Sequence, residues 1–244
     1  MSRLAWAPLN ALQLLFTLLW TAGWICLALV VRLLTGGRHW PLRMASRCWA
    51  PGLLHGAGVR LEVHGLDRID WSRPHVFVAN HQSMIDICAL FRALPVPVRF
   101  VLKQELARVP FVGWYARAMG MVFIERASAR SSARRLQAAV DTVRGGANVC
   151  AFPEGTRSRD GRVGAFKGGA FRLAIDAGAA IVPVAIEGSG RVLPAAGFRV
   201  RPGRIVVRVG EPLATQGLMP QERNALARQS HAAVAALLGK GVAQ

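Results

Sequence analysis

Val78-Ala79-Asn80-His81-Gln82-Ser83-Met84-Ile85-Asp86 is the stretch that decides how this chain is read. His75 to Ala79 is a short apolar run, β-branched in part, that fits a buried strand. Ser83 opens a second apolar run to Leu94, with Ile87, Leu90, Phe91 and Leu94 at helical spacing. The polar residues between them therefore form a strand-to-helix turn. In open α/β sheets such turns lie at the carboxyl ends of strands, where ligands bind.

His81 and Asp86 are five residues apart. On one continuous helix they would lie well off a common face. With His81 on the turn and Asp86 in the first turn of the helix, the two side chains can meet. Asp86 then accepts a hydrogen bond from one ring nitrogen and fixes the tautomer. The other nitrogen is free to take a proton from a substrate hydroxyl, and no protein nucleophile is needed. The same residues also read as plain local structure. Ser83-x-x-Asp86 is a passable capping pair with Asp in place of Glu or Gln, and Asn80 and His81 are then ordinary turn residues.

A second polar block follows another buried strand. Asn148 to Phe152 is the strand, and Pro153-Glu154-Gly155-Thr156-Arg157-Ser158 comes after it. Gly155 permits an unusual backbone conformation. Arg157 offers a planar fork suited to phosphate, and Thr156 and Ser158 add hydroxyl donors. Glu154 either holds Arg157 in place or binds a substrate hydroxyl. The alternative is a solvated basic loop with an internal Glu–Arg pair. Lys103 and Arg126 each follow a strand; they reach the same sheet edge or are surface charges.

Composition narrows the partners. The 244 residues suffice for one large domain with appendages. The chain is 52% hydrophobic, yet carries 31 Lys and Arg against 13 Asp and Glu, a net charge of +18. Such a balance suits a polyanionic partner: nucleic acid, anionic lipid, a phosphorylated substrate or an acidic carrier protein. A mean hydropathy of +0.31 favours the membrane, and 7% aromatic residues leave no stacking platform for nucleic acid. Cys26, Cys48, Cys88 and Cys150 are read as reduced, buried small hydrophobes, consistent with the cytosol. The six histidines show no metal-ligand spacing.

Leu9 to Val31 is a run of 23 uncharged residues between Arg3 and Arg32, long enough to cross a bilayer. An amphipathic stretch at about Leu42–Leu54 follows, and Pro51-Gly52 is expected to break or end it. The two form a span with an interfacial helix, or a hairpin dipping into one leaflet; the alternative is a pair of core helices. Residues 1–58 are therefore assigned to a membrane-associated helical region and 59–244 to an α/β domain. In the latter, strands are expected at Val59–Val63, His75–Ala79, Val98–Leu102, Gly120–Ile124, Asn148–Phe152, Ala180–Ile186 and Arg204–Val209. Helices are expected over Ser83–Leu94, Leu106–Ala118 with an interruption near Pro110, Ala129–Val143, Phe166–Ala177 and Gln221–Leu238. The alternation implies a mixed, largely parallel sheet flanked by helices.

Taken together, these blocks resemble the glycerolipid acyltransferase family, most closely the 1-acylglycerol-3-phosphate acyltransferases. Asn80-His81 to Asp86 is similar to its Asn-His-x4-Asp block, and Gly120 to Arg126 to its Gly-x-x-Phe-Ile-(Asp/Glu)-Arg block. Phe152 to Ser158 is similar to its Phe-Pro-Glu-Gly-Thr-Arg-Ser block, and Val182-Pro183-Val184 to its Val-Pro-Val block. Lys103 to Leu106 and Phe166 to Gly169 also look like the family. The N-terminal apolar pair resembles a membrane-embedded two-helix element that some members carry.

The resemblance implies transfer of a fatty acyl group from an acyl thioester to the 2-hydroxyl of lysophosphatidate, giving phosphatidate. His81 is then the general base, oriented by Asp86. Arg157 and Lys103 bind the acceptor phosphate, and Glu154, Gly155, Thr156 and Arg126 shape its site. No metal or bound cofactor is required; the thioester, on coenzyme A or acyl carrier protein, is a co-substrate. The expected place is the inner membrane, with the site facing the cytoplasm. Two other readings stand beside this one: the same chemistry on another acceptor, such as a lyso-ornithine lipid or a lysophospholipid, and a non-catalytic basic membrane-binding protein.

Overall fold

The computed structural model describes residues 3–124 and 129–239. The first helix, α1 (Arg3–Thr35), is 33 residues long, or about 50 Å at 1.5 Å per residue. Only 11% of its most apolar window is buried. Leu12, Leu19, Leu33 and Leu34 all face outward, so α1 is no core helix. Cys26 also lies exposed on it, which corrects its reading as a buried hydrophobe. Cys88 and Cys150 are buried as expected, and burial pushes the Cys88 thiol up to about 12.

The chain then reverses through α2 (His39–Met44), one π-helical turn (Ala45–Trp49) and α3 (Ala50–Gly56). Pro51 and Gly52 do not break this rod. Pro51 falls in the first turn of α3, where its missing N–H costs nothing. Gly52 is a contact surface: a Cβ there would sit 2.3 Å from the Trp20 ring. Gly56 meets Phe16 in the same way, so α1 and α3 run antiparallel at close range. The Trp20 indole N–H donates to Trp49 O, and the Trp49 indole N–H to Thr21 Oγ1, both at 3.1 Å. Leu42, Ala45, Ala50, Leu53 and Leu54 share one hydrophobic core with Phe77, Leu90 and Phe100.

Seven strands make one sheet: β1 (Val59–His64), β2 (Val76–Ala79), β3 (Val98–Lys103), β4 (Val122–Ile124), β5 (Asn148–Ala151), β6 (Ile181–Glu187) and β7 (Gly203–Val209). Their order is β1-β7-β6-β2-β5-β3-β4. Strands β6, β2, β5, β3 and β4 are parallel. β7 runs against β6, and β1 follows β7. The sheet is thus mixed and largely parallel, as the alternation of elements implies. Every residue of β2 and β5 is buried, which is why both read as unbroken apolar runs.

Helices cover both faces. α4 (Ile85–Ala93) and α5 (Val112–Met119) join the N-terminal helices on one face. α6 (Ala129–Arg144) and α7 (Gly169–Ala177) lie on the other, with α9 (Arg223–Gly239); the short α8 (Ser189–Val192) sits in the loop after β6. Some boundaries differ from the sequence reading, for local reasons. Gly120, at φ 71°, closes α5 in the left-handed conformation, so β4 starts two residues late. The Lys167 N–H donates to Pro153 O at 3.0 Å, so α7 starts at Gly169 and not at Phe166.

Register sets the site. Val78 of β2 pairs with Ala151 of β5. The two strands therefore end within one residue of each other, and both polar blocks leave the same edge of the sheet side by side.

Candidate active site

His81 and Asp86 meet as the spacing allows. His81 Nδ1 lies 2.8 Å from Asp86 Oδ2. That oxygen also accepts the backbone N–H groups of Gln82 and Ser83, each at 2.8 Å. One carboxylate oxygen thus gathers the turn and the ring together. The contact to Ser83 N–H is the returning half of a capping box. The Ser83 hydroxyl accepts Ile85 N–H at 3.3 Å, not the Asp86 N–H that would complete the box, and donates to Leu193 O at 2.6 Å. The Asp86 side chain is fully buried and that of His81 is 14% exposed. An ionised Asp86 makes Nδ1 the protonated nitrogen. Nε2 carries no hydrogen bond among the described residues and is left as a free acceptor.

Two neighbours fix the imidazole further. Phe152, the first residue past β5, stacks on it with ring centroids 3.9 Å apart and planes at 15°. Asn80 bridges to β6: its side-chain amide donates to Ile186 O at 2.9 Å and accepts from Ile186 N–H at 2.7 Å. This imitates one more ladder pair and holds the end of β2 in place. Both residues stand in the quoted blocks, but nothing in their spacing announces these contacts.

Both oxygens of Glu154 meet main-chain donors. It accepts His81 N–H on Oε1 at 2.8 Å and Gly164 N–H on Oε2 at 3.0 Å. It is buried, and burial raises its carboxyl above the ordinary value, partly offset by these two N–H bonds. Ser158 N–H completes the joint by donating to His81 O at 2.7 Å. The two blocks are therefore stitched main chain to side chain and main chain to main chain. Gly155 has φ 71°, and a Cβ there would lie 2.7 Å from Lys167 Nζ. The ammonium of Lys167, within the Phe166 to Gly169 stretch, thus rests over this turn.

Arg157 lies on the wall of an apolar cavity of about 600 Å3, within the usual range for small-ligand sites. Residues of α1, α4 and α5 and of the loop after β6 line it, Ile25, Phe91, Tyr115 and Phe198 among them. Met84 and Ile85, beside the His81 turn, also reach it, and Arg157 is its one charged residue among the described ones. Thr156 is exposed on the same turn, and Lys103 is exposed at the end of β3, two strands from β2 on the same edge. Arg126 lies outside the described residues. No group of His, Cys, Asp or Glu among the described residues could hold a metal ion.

This geometry fits general-base transfer of a group to a hydroxyl, with an apolar chain beside the reacting centre. The chain is 39% identical over 136 residues to a chloroplast 1-acyl-sn-glycerol-3-phosphate acyltransferase of Arabidopsis thaliana, covering 55% of this chain and 38% of that protein. It is 36% identical over 166 residues to the 1-acyl-sn-glycerol-3-phosphate acyltransferase of Pseudomonas aeruginosa, covering 68% and 63%. The chain thus spans less than two thirds of these relatives' lengths. The crystal structure of the 1-acyl-sn-glycerophosphate (LPA) acyltransferase from Thermotoga maritima shares the fold, with a TM-score of 0.85 over 100% of this chain and 99% of that one at 24% identity. The sequence profile described as Acyltransferase matches residues 60–187, which include His81, Asp86 and the Phe152–Ser158 turn; the chain belongs to the acyltransferase family.

Proposed function

We propose that the protein moves a fatty acyl group from an acyl thioester to the 2-hydroxyl of 1-acyl-sn-glycerol 3-phosphate, forming phosphatidate. The observation that carries the reading is the oriented His81–Asp86 pair beside an apolar cavity with Arg157 on its wall. His81 Nε2 takes the hydroxyl proton as the oxygen attacks the thioester carbonyl. The carbon–sulfur bond then breaks, and the departing thiolate recovers the proton from the imidazolium. Asp86 steadies the ring while it is charged. Arg157, with Lys103 and Lys167, binds the acceptor phosphate, and the cavity takes an acyl chain. No metal or bound cofactor takes part in this scheme.

The working position is the inner membrane, with the site on the cytoplasmic side. The course of α1 supports an interfacial helix over a crossing one. Near its start, Asn10 Oδ1 accepts Val200 N–H at 2.9 Å, and Arg201 lies 4.1 Å over the Trp6 ring. Just past its other end, Arg38 Nε donates to Ala118 O at 2.9 Å. A helix held to the domain at both ends lies along it, with its leucine face outward.

Incubating the purified full chain with lysophosphatidate and an acyl thioester, and separating the lipid products, tests the reading. Phosphatidate should form and should be lost in His81→Ala. Acylation of lyso-ornithine lipid in preference to lysophosphatidate would reassign the acceptor. No acyl transfer to any lysolipid would overturn the reading.

A further inference from the structure

Outside the site, the segment between β3 and α5 carries a feature that its sequence does not announce. Phe111 has φ 60° and ψ −62°, the one non-glycine residue with positive φ among the described residues. Val112 N–H donates to Pro110 O at 2.7 Å across it. This is the rarer hand of the γ-turn, a strained one, and a bulky residue in it is a true outlier. Strain of this kind persists only where the surroundings hold it. Here they do: Gly113 N–H donates to Val109 O at 2.7 Å, a Cβ on Gly113 would sit 2.3 Å from Ala107 O, and Arg117 donates to that same oxygen.

The held turn presents apolar side chains to the outside. Val109, Phe111, Val112 and Trp114 are 41%, 38%, 36% and 48% exposed. Phe111 and Trp114 are paired, with centroids 5.0 Å apart. A soluble surface does not gather four such residues within six positions without a partner. The partner is indicated by continuity. Val109, Phe111 and Val112 share the cavity wall with Leu18, Thr21 and Ile25 of α1, whose exposed residues are mostly leucine. What covers that face also meets this tip. Arg108 and Arg117 flank the tip, as suits the level of anionic head groups.

We propose that the Val109–Trp114 tip is a second lipid-contacting element, which enters the same leaflet as the outer face of α1. The strained turn fixes Phe111 at the cavity rim, so the cavity opens between two lipid-embedded walls. An acyl chain passes between leaflet and cavity without crossing water. This inference rests on the membrane reading above, but not on the identity of the acceptor.

The test places a photoreactive benzophenone amino acid, in the full-length protein, at Phe111, Trp114, Leu19 or Met219. Met219 is an exposed apolar residue that is not on the cavity wall. Each protein is irradiated on vesicles of phosphatidylcholine and phosphatidylglycerol. Covalent lipid adducts are expected at positions 111, 114 and 19, and none at 219. Adducts at 19 without any at 111 or 114 would overturn the inference and leave the membrane reading standing. No adducts at any position would overturn both. Adducts joining two copies of the chain through 111 or 114 would assign the tip to self-association instead. In a second measurement, Phe111→Ser with Trp114→Ser should weaken partition onto these vesicles by roughly tenfold, as expected for two partly buried aromatic rings. Unchanged partition in that folded variant would also sink the inference.

Discussion

The ring of His81 lies flat on the ring of Phe152, 3.9 Å away and 15° from parallel. Phe152 stacks in turn towards Phe100, 6.1 Å away and 2% exposed. The direction of Nε2 is therefore set from the hydrophobic core as well as by Asp86. Phe152→Leu keeps the hydrogen bond to Asp86 and releases the plane of the ring. Turnover should fall by about 10–100-fold, the usual consequence of misplacing a reacting group by an ångström or less. The Michaelis constants should change little. An unchanged turnover number would remove Phe152 from the orienting set.

His81→Ala should lower turnover by about 10²–10⁴-fold without unfolding the chain, the usual worth of a positioned base. Asp86→Asn separates charge from geometry. Asp86 Oδ2 serves three donors, whereas Oδ1 is buried with no partner among the described residues. An asparagine can set its carbonyl oxygen in the Oδ2 position and its amide where Oδ1 was. The turn should then survive, and turnover should drop less than in His81→Ala. Turnover numbers alongside circular dichroism decide this; an unfolded Asp86→Asn protein would mean that the charge is needed for the fold itself.

Glu154 makes stability depend on pH in a stated direction. Its carboxyl is raised above 4.5 by burial in the folded chain. The folded chain therefore takes up this proton at higher pH than the unfolded one. The stabilising contribution of the group is full below 4.5 and is lost as pH rises through the raised folded value. Wild type should thus gain stability relative to Glu154→Gln as pH falls from neutral towards the carboxylate range. Denaturant titrations of both proteins at several pH values measure the difference. A gap independent of pH would show that Glu154 titrates alike in both states.

Arg157→Lys should raise the Michaelis constant for lysophosphatidate by about tenfold or more, since a point charge cannot copy a bidentate fork. The constant for the thioester should stay near that of wild type. Varying each substrate in turn shows which one Arg157 serves. A rise confined to the thioester would hand the acceptor phosphate to Lys103 and Lys167.

Gly155→Ala tests the turn beneath Lys167. At φ 71° an alanine costs about 1–2 kcal/mol, and its Cβ displaces the Lys167 ammonium. Both thermal stability and apparent acceptor affinity should fall, whereas Lys167→Met should lower the affinity alone. Equal stability of Gly155→Ala and wild type would contradict the left-handed turn.

Much of this was legible because burial leaves a plain trace. β2 and β5 are covered on both faces, so their sequences are unbroken hydrophobic runs, and the polar residues that follow mark the edge of the sheet. His81 and Asp86 could be paired on paper because a turn followed by a helix permits only a few placements. What stayed hidden depends on partners distant in sequence. Gly52 reads as a breaker until Trp20 is seen against it. Glu154 reads as a partner for a side chain, because backbone N–H groups leave no mark on a sequence. The reversed direction of β1 and β7 has no local signal either, since a strand reads alike in both directions. The turn at Phe111 inverts the usual preference for glycine, and no propensity foretells it.

The hydrogen bond from Val200 to Asn10 spans 190 residues. Asn10 leaves the ribosome first, and at about 5–20 residues per second its partner follows roughly 10–40 s later. Early in that interval α1 meets α3, through Trp20 against Gly52 and Phe16 against Gly56, but its start stays unfastened until Val200 arrives. The N-terminal helices are thus made before any strand, and the sheet is completed beside them. The start of the first element made is fastened only as β7 is about to follow, so the fold closes on its own first helix.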